Sequence, residues 1–148
     1  MKIYFAGSIR GGRDDQELYR SIIGILAQYG TVLTEHIGDE SLCSGGEQNT
    51  TDSFIFERDM RWVAEADIVV AEVTTPSLGV GYEIGRAEAM GKKILCLYRP
   101  TDGRQLSAMI AGNPDIVTAL YNSPADIPHI LEKFLLTLST KTLHKSID

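Results

Sequence analysis

Cysteine is scarce in this chain: Cys43 and Cys96 are the only two in 148 residues. Two cysteines make no disulfide framework. No Cys-x-x-Cys or His-x-x-x-His pair is present, so the sequence suggests no metal site and no metal cofactor. Cys96 stands in an apolar run and reads as core, whereas Cys43 stands in a polar loop and reads as a free thiol. Basic charge is also in short supply. Fourteen Lys and Arg against twenty Asp and Glu leave a net charge of −6, which argues against binding to polymeric nucleic acid. An acidic chain that takes an anion must do so locally, with a few arginines and backbone amides. No apolar run approaches the length of a membrane span, and the first residues read directly as a strand rather than as a signal or transit peptide. The expectation is a soluble intracellular protein, cytoplasmic or, in a eukaryote, nuclear.

What is present is ordinary for a globular domain: 43% hydrophobic and 23% charged residues, at a length sufficient for one core. Strand and helix patterns alternate. Lys2–Ala6 reads as a first strand, Asp14–Tyr29 as an amphipathic helix with Gly30 as its C′ residue, and Thr31–Thr34 as a second strand. Residues 38–49 read as an exposed loop. Thr51 or Asp52 caps a helix running to Glu65. A buried strand, Asp67–Val73, leads into a glycine-rich turn and a further helix that ends at Gly91-Lys92. Lys93–Tyr98 is a fourth strand, Arg104–Ile110 a short helix, Ile116–Tyr121 a fifth strand and Pro124–Leu138 the last helix. Residues 1–138 thus form one domain and 139–148 a polar tail.

Five alternations argue an α/β fold, a five-stranded parallel sheet with helices on both faces. Right-handed crossovers favour the flavodoxin-like order 2-1-3-4-5. In that order strands 1 and 3 are neighbours. Two distant glycine-rich stretches, Gly7-Ser8-Ile9-Arg10-Gly11-Gly12-Arg13 and Ser77-Leu78-Gly79-Val80-Gly81, then emerge side by side at the carboxyl ends of the strands, where open α/β sheets bind ligands. Ser8, Arg10, Arg13, Ser77 and the loop amides suit a monophosphate. Gly79 and Gly81 would allow close backbone approach or positive φ. Neither a P-loop nor a dinucleotide fingerprint is present. A plain tight turn with solvent-facing arginines, and Ser77 as a simple helix cap, fit the same residues.

Two carboxylates are candidates for chemistry, Glu83 in the central stretch and Asp59 on the preceding helix. A carboxylate pair flanking a glycosidic bond divides the work between nucleophile and proton carrier. For Asp59 a surface salt bridge with Arg58 or Arg61 is the plainer reading. Tyr4, at the ligand end of strand 1, would hold a carboxylate by its hydroxyl or sit in the core. Trp62 reads as core, and a lone His36 as structural.

Residues 3–13, 31–36 and 71–87, with Arg99-Pro100 and Leu106-Ser107-Ala108-Met109-Ile110, closely resemble the 2′-deoxynucleoside 5′-phosphate N-hydrolases of the nucleoside 2-deoxyribosyltransferase superfamily. The resemblance runs from about residue 3 to 112. It implies a flavodoxin-like homodimer that needs no cofactor. Its substrate is a small nucleoside 5′-monophosphate, cleaved to free base and 2-deoxyribose 5-phosphate. It implies Glu83 as the nucleophile that forms a glycosyl ester, Asp59 as the second carboxylate and Tyr4 as the accompanying tyrosine. Substrate-binding positions carried over are Gly7, Ser8, Ile9, Arg10, Gly11, Gly12, Arg13, Ser77, Gly79, Ser107 and Met109. Ile9 would line the sugar pocket, and Ser107 would reach the neighbouring subunit's phosphate. Three alternatives stay open: a ribonucleotide (CMP-type) N-hydrolase, a nucleoside 2-deoxyribosyltransferase, and a non-catalytic nucleotide-binding signalling module.

Overall fold

The computed structural model describes residues 1–8, 14–34, 50–100 and 103–144, the side chains of Asp14 and of 140–144 excepted. Five strands, β1 (Lys2–Ala6), β2 (Thr31–Val32), β3 (Ile68–Glu72), β4 (Lys93–Tyr98) and β5 (Ile116–Leu120), form one parallel sheet in the order β2-β1-β3-β4-β5. The helices are α1 (Asp14–Leu26), α2 (Asp52–Glu65), α3 (Leu78–Ala89), α4 (Ala108–Ala111) and α5 (Ile127–His144). The order anticipated from strand–helix alternation is the observed one. Its cause is visible in the strands: β1, β3 and β4 are buried at every position except Lys2 and Lys93, as strands covered on both faces must be.

The period of two sorts those residues into two cores. Ile3, Phe5, Val70 and Leu95 face α1 and α5, packing on Leu18, Ile22, Leu131 and Phe134. Tyr4, Ala6, Val69 and Cys96 face α2 and α3, packing on Val63, Val80 and Ile84. Cys96 is indeed a core residue, and burial pushes its thiol up to about 12. Cys43 lies outside the described residues.

Several boundaries differ from expectation for identifiable reasons. The second strand stops at Val32 because the Thr34 side chain takes over its pairing. Its hydroxyl accepts from the Phe5 N–H at 2.9 Å and donates to the Phe5 carbonyl at 2.7 Å. Gly30 is not a left-handed C′ residue; only Gly91 and Gly103 have positive φ among the described residues. Glycine is needed there because a Cβ would stand 2.3 Å from the Met1 carbonyl oxygen. The short helix expected over Arg104–Ile110 is a single turn starting at Ala108, with residues 104–107 outside any helix or strand and the Tyr98 hydroxyl bonded to the Arg104 carbonyl at 2.9 Å. A 3₁₀ turn at Pro124–Asp126 precedes α5, which continues past Leu138 to His144.

The largest correction concerns the glycine-rich stretch. It is not a loop: α3 begins at Leu78, so Gly79, Gly81 and Gly85 are helical and none has positive φ. Ser77 caps the helix by accepting from the Val80 N–H at 3.3 Å, and that cap starts the helix at Leu78, at the end of the short turn that follows β3.

Candidate active site

Sheet register sets the site. Tyr4 pairs with Val69 and Ala6 with Ala71, so β1 and β3 end level. The Gly7 loop and the β3–α3 turn therefore leave the sheet together. Gly7 fits because its bare Cα rests on aromatic rings; an added Cβ would lie 3.2 Å from Phe5 and Tyr19. Ser8 is buried, and its N–H donates to the Tyr19 hydroxyl at 3.1 Å. Ile9, Arg10, Gly11, Gly12 and Arg13, like His36, lie outside the described residues.

Tyr4 points to the α2–α3 side of the sheet, where its ring is fully buried. Its hydroxyl donates to Glu83 Oε1 at 3.0 Å. Glu83 sits in the second turn of α3, and burial pushes its carboxyl up to about 7, against the opposing pull of the Tyr4 hydrogen bond and with a smaller push from Asp59. Tyr4 is itself driven far above the ordinary phenol range, first by burial and then by Glu83 and Asp59. At neutral pH the tyrosine is therefore a fixed donor, and the carboxyl is divided between its two protonation states.

Asp59 arrives from α2, which lies alongside α3. The C-terminal end of α2 is anchored by Lys92, whose ammonium donates to the carbonyls of Ala64 at 2.6 Å and Ala66 at 2.8 Å, as cations commonly do at helix ends. Asp59 is not a surface salt bridge. Arg58 Nε and Nη2 both reach its Oδ1 at 2.9 Å, and the two side chains are only 11% and 17% exposed. The guanidinium lies 4.8 Å from the Trp62 ring centroid and 5.8 Å from that of Phe54. Trp62 is thus half-buried packing for Arg58 rather than plain core. The sequence named Arg58 as an ion-pair partner of Asp59, and the pair forms as expected; what differs is that it lies largely out of solvent.

Tyr4, Glu83 and Asp59 form one cluster. Ser77, Ser107 and Met109 form another, on the walls of an adjoining cleft of about 620 Å³ that also includes Thr75, Gly81, Ile84 and Arg104. The catalytic candidates are not on its walls, so α3 separates the two groups: Glu83 on one flank, Gly81 and Ile84 on the other. Ser107 precedes α4 and makes no side-chain capping bond. Met109 and Leu78 are almost fully exposed, at 81% and 97%. Among the described residues outside α3's own backbone, Gly79 has just the Ser77 hydroxyl near it, 3.8 Å from where a Cβ would be, which leaves room for a ligand at the start of α3. Free N–H groups there favour an anion. Among the described residues no group of three or more His, Cys, Asp or Glu side chains is arranged to hold a metal, and no helix is long and apolar enough to cross a membrane.

A half-buried carboxylate beside a neutral hydroxyl donor and a second, arginine-paired carboxylate is suited to attack at a centre that develops positive charge. The nucleoside 2-deoxyribosyltransferase family model matches residues 3–124. The 5-hydroxymethyl-dUMP N-hydrolase of Tetraodon nigroviridis is 54% identical over 137 residues, covering 90% of this chain and 96% of the relative. That of Mus musculus is 61% identical over 114 residues, 76% of this chain and 66% of the relative. Among solved structures, a Clostridium botulinum CMP N-glycosidase superposes with a TM-score of 0.65 at 22% identity, over 90% of this chain and 99% of that one; at that identity the likeness concerns the fold.

Proposed function

The chain belongs to the nucleoside 2-deoxyribosyltransferase family, and from that premise we propose that it hydrolyses the N-glycosidic bond of 2′-deoxynucleoside 5′-monophosphates with Glu83 as nucleophile. The Tyr4–Glu83 hydrogen bond carries the reading. The 5-hydroxymethyl-dUMP N-hydrolases at 54% and 61% identity support 5-hydroxymethyl-dUMP as the substrate.

In the proposed reaction, ionised Glu83 attacks the anomeric carbon as the C–N bond breaks. The electron pair leaves with the base, which takes a proton from an acid in the site or from solvent. Water then cleaves the glycosyl ester, yielding 2-deoxyribose 5-phosphate and restoring the carboxylate. Tyr4 orients Glu83 and steadies its charge. Asp59, held by Arg58, supplies negative potential beside the oxocarbenium-like centre and is placed to relay protons. The 5′-phosphate is received by Ser8, the first-loop residues Ile9 to Arg13 and the start of α3 at Ser77 and Gly79. Binding energy from that remote group holds the sugar against Glu83. The reading includes a homodimer in which Ser107 and Met109 complete the neighbour's site. It is supported by the exposure of Met109 and Leu78 and by the uncapped Ser107 hydroxyl.

The test is a panel of deoxy- and ribonucleoside monophosphates, with 5-hydroxymethyl-dUMP and the matching nucleoside, followed by separation of free bases. Expected is release of 5-hydroxymethyluracil from the deoxynucleotide, dependent on the 5′-phosphate and absent in Glu83→Ala. A ribonucleotide advantage would replace the deoxy reading with the CMP-type one. Equal cleavage of the nucleoside would point to the transferase instead. Mixing Glu83→Ala with Ser107→Ala under proven subunit exchange tests the shared site. Recovery of activity supports it, and none counts against it, provided the Ser107 change is itself damaging.

A further inference from the structure

Glu72, the last residue of β3, is 1% exposed and faces the α1–α5 side of the sheet, away from Glu83. A carboxyl group that deep requires partners. It has the Tyr121 hydroxyl at 3.0 Å, the Thr74 hydroxyl, and the Thr74 N–H at 3.4 Å. While donating to Glu72, the Thr74 hydroxyl accepts from the Arg99 backbone N–H at 2.8 Å. One line of hydrogen bonds therefore joins the ends of β3 and β4 to Tyr121, just beyond β5. Burial raises the Glu72 carboxyl, and the Thr74 and Tyr121 bonds pull it back.

Beside this line stands α1. Asp15 accepts from the Thr75 hydroxyl at 3.1 Å and pairs with Arg99 Nη2 at 3.5 Å. One turn later Tyr19 accepts from the Ser8 N–H at 3.1 Å. Successive turns of one helix thus hold Thr75, two residues before the Ser77 cap, and Ser8, at the head of the first loop. None of these bonds reaches Glu83.

We propose that Glu72, Thr74, Asp15 and Arg99 are positioning residues that, together with Tyr19, hold Ser8 and the β3–α3 turn in register for the substrate's 5′-phosphate. The inference rests on Ser8 and Ser77 receiving that phosphate. Both segments leave the sheet at strand ends, where nothing in the strand ladder fixes their separation. Displacements of about 1 Å in such contacts are costly in rate. Because the network touches the phosphate side alone, its loss registers in binding of the phosphate and leaves the carboxylate chemistry intact.

The experiment uses Thr74→Val, Thr74→Ser and Asp15→Asn in the full chain, with Ser77→Ala as the control for the phosphate site. KM for 5-hydroxymethyl-dUMP and the inhibition constant of inorganic phosphate are measured with kcat and its pH profile. Thr74→Val is expected to raise both KM and the phosphate constant by about tenfold, ~1.4 kcal/mol. The acid limb of kcat stays in place, and Thr74→Ser recovers most of the loss. Asp15→Asn, at the network's outer edge, gives the same split and serves if Thr74→Val does not fold. A lowered melting temperature or kcat with KM and the phosphate constant unchanged overturns the inference. If Ser77→Ala raises both constants while the network variants do not, the phosphate site stands and the positioning role falls. If Ser77→Ala changes neither, the phosphate reading fails and takes the inference with it.

Discussion

Tyr4 and Glu83 are 79 positions apart in the chain, and their side chains meet at 3.0 Å. The contact joins β1 to the second turn of α3. It sets the protonation of the proposed nucleophile, since burial pushes Glu83 up to about 7 and the tyrosine opposes that push.

Tyr4→Phe removes the one hydrogen bond that favours the carboxylate form. The Glu83 carboxyl then rises further above about 7, and the acid limb of kcat/KM, expected where Glu83 ionises, moves to higher pH. At pH 7 the rate falls by about tenfold, equivalent to one lost hydrogen bond to a charged group at ~1.5 kcal/mol. At pH 9 much of the loss is recovered. A pH–rate profile checks this, and an unmoved acid limb would remove Tyr4 from the account.

Glu83→Gln separates activity from stability. Hydrolysis falls by several powers of ten, on the order of the ~10³–10⁶ lost with a covalent nucleophile. Stability changes the other way. A carboxyl raised from 4.5 to about 7 in the fold binds more protons folded than unfolded between those values, so its contribution to stability declines as pH rises through that window. The glutamine carries no such penalty. The variant should match the unmodified protein near pH 4.5 and exceed it at pH 8 by up to about 3 kcal/mol. Denaturant titrations at the two pH values measure the difference.

Arg58→Ala breaks a forked ion pair that is nearly buried and removes the cation from Trp62. The expected cost is about 3 kcal/mol, as for other buried pairs that lose one member. Arg58→Lys keeps the charge and loses the planar fork, so it recovers only part. Thermal unfolding, together with kcat/KM on 5-hydroxymethyl-dUMP, distinguishes a folding defect from a site defect.

Glycine substitutions give opposite signs at two places. Gly30→Ala drives a Cβ to 2.3 Å from the Met1 carbonyl oxygen and should destabilise by about 1–3 kcal/mol. Gly85→Ala, in open space on α3, should stabilise the isolated chain by up to ~1 kcal/mol through helix propensity. Melting temperatures at low protein concentration check both.

Hydrophobic patterning and chirality carried most of the architecture. Uninterrupted apolar runs at 68–71 and 94–98 have no arrangement other than a doubly covered parallel sheet, and the sheet order followed. The boundaries that failed were those decided by side chains distant in sequence. Thr34 replaces backbone pairing, Met1 dictates glycine at 30, and Ser77 starts a helix through glycines that locally favour a turn. At the site, residue type and adjacency pointed to Tyr4, Glu83 and Asp59, because a carboxylate after a central strand has few places to go. Tyr19 and the Glu72 network were missed. Their significance lies in burial and in contacts between residues as far as 84 positions apart, though a charged residue at the end of an apolar strand was a visible sign for Glu72.

The Thr34 hydroxyl has a consequence for how the protein behaves in a crowded solution. By occupying the Phe5 N–H and carbonyl, it shields the stretch of β1 that a longer β2 would have covered, leaving that border of the sheet a two-residue strand. So short a border offers little template for an incoming chain. The opposite border, β5, is five residues long with Val117 and Leu120 exposed. Among the described residues β5 is therefore the border more open to strand addition, and Leu120→Lys would guard it without touching the site.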